Sequence, residues 1–392
     1  MDLTLIVVLV IALALFFDFT NGFHDTANAM ATPIATGALR PKVAVGLAAI
    51  LNLVGAFLST EVAKTISGGI INEGDGGVLI TPELIFAGLI GAIVWNMVTW
   101  LLGLPSSSSH ALFGGLIGAA LVGFGLQSID FSVVMSKVIL PAILAPLTAG
   151  LIAYTATKLA YAITRRYDGK PDGRDGFRHA QIFSSSLVAL AHGTNDAQKT
   201  MGVITLTLVA AGLQSSGGEV QLWVIVSCAV AIALGTYMGG WRIIKTLGTG
   251  LTDVKPAQGF AAETSTAATI LASTHLGFAL STTQVASGSV IGSGLGRRGS
   301  KVRWRTAGRI GIGWLMTLPA AGAVGALAAL VAQLGVVGVL IDAVVGVIVI
   351  VIIFLWSRRN EVSHKNVVSE VAASGRAVKI KRNPKPKKKV AP

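Results

Sequence analysis

The sequence predicts an all-α polytopic membrane protein with about 10–12 transmembrane helices, arranged as two inverted-topology repeats with broken helices and re-entrant hairpins. Three observations carry that expectation. The 392 residues are 53% hydrophobic and only 12% charged, with a mean hydropathy of +0.72, which leaves little room for a soluble protein. Several apolar runs approach or exceed the ~20 residues that cross a hydrocarbon core. Two related polar clusters interrupt those runs: Asn21-Gly22-Phe23-His24-Asp25-Thr26-Ala27-Asn28 and Ala191-His192-Gly193-Thr194-Asn195-Asp196-Ala197-Gln198-Lys199. A carboxylate at membrane depth costs ~2.5–3.5 kcal/mol even on lenient insertion scales, so such residues are there for a task. One cluster in each half of the chain predicts an ion or solute site between duplicated units.

In chain order, the apolar runs predict spans near 3–38 (broken at the first cluster), 43–66, 83–102, 107–126 and 131–160. The second half adds 180–213 (broken at the second cluster), 221–247, 258–277, 280–296, 308–333 and 335–356. The 47 glycines suit helices packed through small residues, and backbone that unwinds at a site. The lone Cys228 excludes a disulfide framework or a cysteine-based metal centre. Met1-Asp2-Leu3 lacks the basic stretch of a cleavable signal, so the first run is expected to stay.

Basic residues set the orientation. Arg40 and Lys42 follow the first span; Arg165, Arg166, Lys170, Arg174 and Arg178 crowd the centre; Arg297, Arg298, Lys301, Arg303 and Arg305 precede the tenth span; and the tail is basic. The loop around Glu73 and Asp75 is acidic. If each run crosses once, all basic segments share the cytoplasmic side and the amino terminus lies outside. Five spans then separate the two clusters, so they enter the membrane from opposite sides. The expected division is a first transmembrane half, 1–160, holding repeat one (18–126); a basic cytoplasmic loop, 161–179; a second half, 180–356, holding repeat two (186–296); and a basic, disordered cytoplasmic tail, 357–392.

A second pair supports the duplication. Leu104-Pro105-Ser106-Ser107-Ser108-Ser109-His110 and Phe278-Ala279-Leu280-Ser281-Thr282-Thr283-Gln284 are hydroxyl-rich turns opening apolar segments. Hydroxyls beside free N–H groups at a helix start suit an oxyanion, so Ser107, Ser108, Ser109, Ser281, Thr282 and Thr283 are candidate anion ligands, against the alternative of helix caps. Asp25 and Asn28 share a helical face, as do Asp196 and Lys199. Asp25, Asp196 and Glu263 are candidate cation or proton sites, and Lys199 either neutralises Asp196 or contacts the anion. His24 and His110 are candidate proton relays. Asp18 and Asp342 are expected near the outer interface. No histidine pair has zinc-helix spacing, so no metal centre is expected. No Walker sequence is present, so energy must come from an ion gradient or a partner.

These motifs resemble the paired signatures of the inorganic phosphate transporter (Pit, or PHO4) family. The likeness rests on residues 22–30 and 191–202, the hydroxyl turns, and Gly235-Thr236-Tyr237-Met238-Gly239-Gly240-Trp241-Arg242, and covers about residues 10–350. The resemblance implies an α-helical carrier in a bacterial-type plasma membrane, importing phosphate by symport with H⁺ or Na⁺, often as a homodimer. Some members take phosphate as a complex with a divalent metal, and some relatives carry sulfate. By position, Asp25, Asn28, Asn195 and Asp196 would form the central ion and phosphate site, with Glu263 a family-matched carboxylate. His24 stands where many members have asparagine, Gln284 where they have a hairpin histidine, and Asn52 where animal members have glutamate; each weighs on the coupling ion.

The reading is therefore a secondary phosphate carrier without a cofactor. Sulfate transport is its nearest rival. A membrane-embedded hydrolase would show one nucleophile poised against one base, whereas here hydroxyls come in redundant, matched runs. The basic tail fits an anionic lipid surface better than nucleic acid.

Overall fold

The computed structural model describes residues 2–69, 80–167, 176–360 and 362–376. The acidic loop at Glu73 and Asp75, the central Lys170 and Arg174, and the tail beyond residue 376 lie outside those residues.

The described chain is helical. α1 (Asp2–Ala35) runs through the first polar cluster, and α8 (Gly176–Ala210) through the second. The expected breaks at the clusters are therefore absent. The glycines that suggested them serve another end: a Cβ on Gly22 would strike the Ile232 carbonyl oxygen, and one on Gly193 would strike the Asn52 backbone. Glycine there lets helices approach closely rather than unwind.

The remaining elements are α2 (Pro41–Gly55), α3 (Glu61–Gly69), α4 (Pro82–Leu101), α5 (Ser108–Phe124), α6 (Phe131–Val133), α7 (Leu140–Tyr167), α9 (Leu222–Met238), α10 (Trp241–Lys245), α11 (Pro256–His275), α12 (Thr282–Gly296), α13 (Trp304–Ala332), α14 (Val336–Ser357) and α15 (Val367–Arg376). Breaks fall elsewhere than expected. The run at 43–66 divides between α2 and α3, and the run at 221–247 bends by 56° between α9 and the segment Trp241–Gly250. Gly239, at φ 76°, supplies that corner with a conformation other residues adopt only under strain.

Among the described residues, five helices are long and apolar enough to cross a membrane, or six if the bent pair counts as one span. Not every predicted run crosses alone. α5 has 17 residues and α12 has 15, roughly 26 and 22 Å of helix at 1.5 Å per residue, short of the ~30 Å core. Each begins at a hydroxyl turn buried in the protein, in the manner of a re-entrant hairpin.

The packing is reciprocal. α1 lies against α9, and α8 against α2; α5 nests between α4 and α13, and α12 between α11 and α7. Polar residues gather where α1, α8 and the starts of α5 and α12 meet. Leucine, isoleucine and valine face outward on α13 and α14, including Leu315, Leu327, Val344 and Ile352, as lipid contact requires.

The expectation of disorder from residue 357 onward does not hold throughout. α15 buries Val367 and Val371, Lys245 pairs with Glu370 at 2.6 Å, and Thr249 Oγ1 donates to the Val371 carbonyl at 2.5 Å. A short amphipathic segment thus anchors itself within an otherwise hydrophilic tail.

Candidate functional site

On α1, Asn21, His24, Asp25 and Asn28 fall at positions i, i+3, i+4 and i+7; on α8, His192, Asn195, Asp196 and Lys199 repeat that spacing. Both sets therefore form single-face stripes, and all eight residues are buried. The stripes meet at the two carboxylates.

Asp25 collects donors from both hairpins. Its Oδ1 accepts from His24 Nδ1 at 2.6 Å and Thr283 Oγ1 at 3.1 Å, and its Oδ2 accepts from Ser108 Oγ at 3.1 Å. Asp196 Oδ1 accepts from Lys199 Nζ at 2.6 Å, and its Oδ2 from Asn21 Nδ2 at 3.3 Å. Thr282 Oγ1 lies between the pair, 3.4 Å from Asp25 Oδ2 and 3.3 Å from Asp196 Oδ2, with one proton to give to either. Asn28 Nδ2 donates to both Thr282 and Thr283, at 3.3 and 3.0 Å. Asn195 Nδ2 donates instead to Thr274 Oγ1 and the Phe278 carbonyl. The Oδ1 atoms of Asn28 and Asn195 have no partner. Such orphaned buried acceptors are expensive unless a ligand or water fills them.

The predicted hydroxyls divide by task. Ser107 Oγ caps α5 by accepting from His110 N at 3.1 Å, and Ser281 Oγ caps α12 by accepting from Gln284 N at 3.3 Å. Ser109 Oγ donates to the Leu280 carbonyl at 3.0 Å. Ser108, Thr282 and Thr283 are the hydroxyls turned to the carboxylates. Ser107→Ala should accordingly cost about 1 kcal/mol of stability and leave phosphate affinity nearly unchanged. On the expectation that Ser108 meets the anion, Ser108→Ala should weaken affinity roughly 10- to 150-fold, the worth of a hydrogen bond to a charged oxygen. Phosphate binding and thermal melts on the two variants check the division; equal affinity losses would contradict it.

Of the other predicted residues, Glu263 and His110 sit away from the pair, whereas His24 touches Asp25. Glu263 receives Thr32 Oγ1 at 2.5 Å, Gln181 Nε2 at 3.0 Å and Ser184 Oγ at 2.5 Å, and lines a small cavity together with Asn28. His110 faces outward to α7 and α13 across an apolar pocket, with Gln284 Nε2 3.4 Å from its Nδ1. His24 gives Nδ1–H to Asp25, while its Nε2 lies 3.3 Å from the Ser106 hydroxyl.

His192, which is not among the predicted proton relays, has the more telling surroundings. Thr236 Oγ1 donates to the Ile232 carbonyl at 2.8 Å, so it accepts from Asn52 Nδ2 at 2.7 Å. Asn52 Oδ1 is thereby turned to His192 Nδ1, 3.3 Å away, and Nδ1 is the protonated nitrogen. Nε2 then lies 3.2 Å from Asp196 Oδ2 and 3.9 Å from Asp25 Oδ2. A lone pair facing two carboxylates is repulsive; a proton or a cation there removes the conflict. The signal in the sequence was the i, i+4 pair His192 and Asp196. Asp25, His192 and Asp196 bring ligand atoms within 4.8 Å of one another, a spacing at which three ligands can reach one cation. Asp18, expected near the interface, is fully buried, with the Thr200 hydroxyl beside its carboxylate; it lies one turn before Asn21 on the same helix.

The sequence pattern described as "Phosphate transporter family", PHO4, matches residues 21–325. A protein of Mycobacterium tuberculosis (strain ATCC 25618 / H37Rv) named "Probable low-affinity inorganic phosphate transporter" is 60% identical over 324 residues, covering 82% of this chain and 76% of that one. A Bacillus subtilis (strain 168) protein of the same name is 42% identical over 326 residues, covering 81% of this chain and 95% of its own length. A solved structure titled "The sodium-dependent phosphate transporter" superposes with a TM-score of 0.73 at 24% identity, covering 84% of this chain and 99% of that one, and shares the fold. The chain belongs to the PHO4 phosphate transporter family, and is a multi-pass membrane carrier rather than an enzyme.

Proposed function

We propose that this carrier imports inorganic phosphate by symport with a cation, a proton or Na⁺, taken up at the Asp25–His192–Asp196 cluster. The carrying observation is the unsatisfied geometry at His192 Nε2, which calls for a positive charge between two carboxylates. Electrical arithmetic asks for the same: each negative charge moving inward against 100 mV is opposed by ~2.3 kcal/mol, so a phosphate dianion faces ~4.6. Phosphate would sit where Ser108, Thr282 and Thr283 now donate to Asp25, receiving those donors and the Asn28 amide. The sodium-dependent relative supports Na⁺ as one choice.

A second reading has its own support. The three ligand atoms within 4.8 Å would hold a divalent metal travelling with phosphate as a neutral complex.

Phosphate should be preferred to sulfate. Near neutral pH phosphate keeps a P–OH donor for Asp25 or Asp196, whereas sulfate offers acceptors only to a site rich in carboxylate. Sites built around a substrate donor reject analogues lacking it by up to ~10⁴-fold or more. Counterflow of labelled phosphate in proteoliposomes, with each ion gradient set separately, tests both substrate and coupling. Sulfate competing as well as unlabelled phosphate would promote the sulfate reading.

The reciprocal pairing of α1 with α9 and α8 with α2 supports the inverted repeats of 18–126 and 186–296. Orientation follows the basic segments, with amino terminus outside and tail inside. Cysteines placed at Gly169 and Ser374, with buried Cys228 replaced, should resist impermeant thiol reagents in intact cells; rapid labelling from outside would invert the topology. Homodimer assembly, implied by the resemblance, is checked by the mass of the purified protein.

A further inference from the structure

We infer that the Lys199 ammonium is a resident cation, fixed where a mobile alkali ion would otherwise sit, so that the Asp196 side of the site draws no Na⁺ from solution. This rests on the symport reading above and deepens it. Lys199 is fully buried. Its Nζ lies 2.6 Å from Asp196 Oδ1 and 3.1 Å from the Leu280 carbonyl oxygen. A carboxylate oxygen and a non-helical backbone carbonyl are among the ligands that hold Na⁺ in carriers with interrupted helices. Leu280 precedes α12, and its carbonyl also accepts from Ser109 Oγ of the other hairpin, so the ammonium ties α8 to both hairpin tips.

Lysine suits this place because its ammonium is a compact point charge, while its tether to α8 prevents exchange with the bulk. Among the central charges, Asp25 and Asp196 contribute two negatives and Lys199 a permanent positive. The second positive charge, at His192, is left as the exchangeable one. A carrier with a mobile ion in both positions would need two ions per cycle to reach the same balance.

The test compares wild type with Lys199→Ala in proteoliposomes, using external choline, Na⁺ or methylammonium. Wild-type phosphate uptake should agree within about twofold in all three. The alanine variant in choline should lose on the order of a hundredfold, the effect of stranding a buried charge, and Na⁺ or methylammonium should restore at least about a tenth of the wild-type rate. The inference is overturned by a wild type that needs Na⁺, by a variant equal to wild type in choline, or by a folded variant that neither cation rescues. Should the variant fail to fold, radioactive sodium decides: wild type with phosphate should bind none, and stoichiometric binding overturns the assignment. No phosphate uptake under any condition would instead refute the symport reading.

Discussion

Asp25→Asn and Asp196→Asn should each abolish gradient-driven phosphate uptake while leaving a folded, inserted protein. Asp25 accepts from His24, Ser108 and Thr283 together. An asparagine keeps the shape and one acceptor but turns an NH₂ toward groups that are themselves donors. At Asp196 the change strands Lys199, whose other hydrogen-bond partner among the described residues is the Leu280 carbonyl. Leaving a buried charge unpaired costs ~3–5 kcal/mol, equivalent to roughly 10²- to 10³-fold in affinity or more. On the proposed reading, the coupling cation would lose a counter-charge in both variants. Uptake in proteoliposomes, normalised to protein recovered in the membrane, is the measurement. Normal rates in both would remove these carboxylates from the mechanism.

Much of this site was legible because helical periodicity is visible in sequence. Asn21, His24, Asp25 and Asn28 must share a face if the segment is helical, and the matching stripe on α8 says which faces meet. Burial of the carboxylates followed from composition alone, since polar atoms in such apolar runs have nowhere else to go. What residue identity could not reveal was direction. Ser107 and Ser108 are adjacent and chemically alike, but one caps α5 and the other reaches Asp25, because helix geometry points them apart. Glycine is ambiguous for the same reason: Gly22 and Gly193 suit either an unwound site or close packing, and only the neighbouring Ile232 and Asn52 backbones decide. Glu263 is a lone carboxylate in either view, yet Thr32, Gln181 and Ser184 saturate it from chain positions as far as 231 residues away. No local pattern encodes that arrangement. The tail misled for a different reason, since the few apolar residues of α15 are diluted by the lysines around them.

His192→Gln should separate exchange from coupling, the sharpest outcome expected of any single change here. In the wild type, the relay Ile232–Thr236–Asn52 fixes Nδ1 as a donor and leaves Nε2 facing Asp196 and Asp25. On the proposed symport, a proton held there in one orientation and released in the other would convert a pH gradient into phosphate movement. Glutamine can donate to either carboxylate but cannot change charge over the working range. Phosphate-for-phosphate counterflow should therefore persist, whereas uptake driven by an imposed pH gradient should fall tenfold or more, a typical scale for losing a positioned proton carrier being ~10²-fold. The dependence of uptake on external pH should flatten in parallel. If His192 only braced α8 against α2, exchange and driven uptake would decline together. If it bound a divalent metal, the variant would lose stimulation by that metal while keeping its response to pH. Unchanged pH-driven uptake would show that the coupling proton is carried elsewhere.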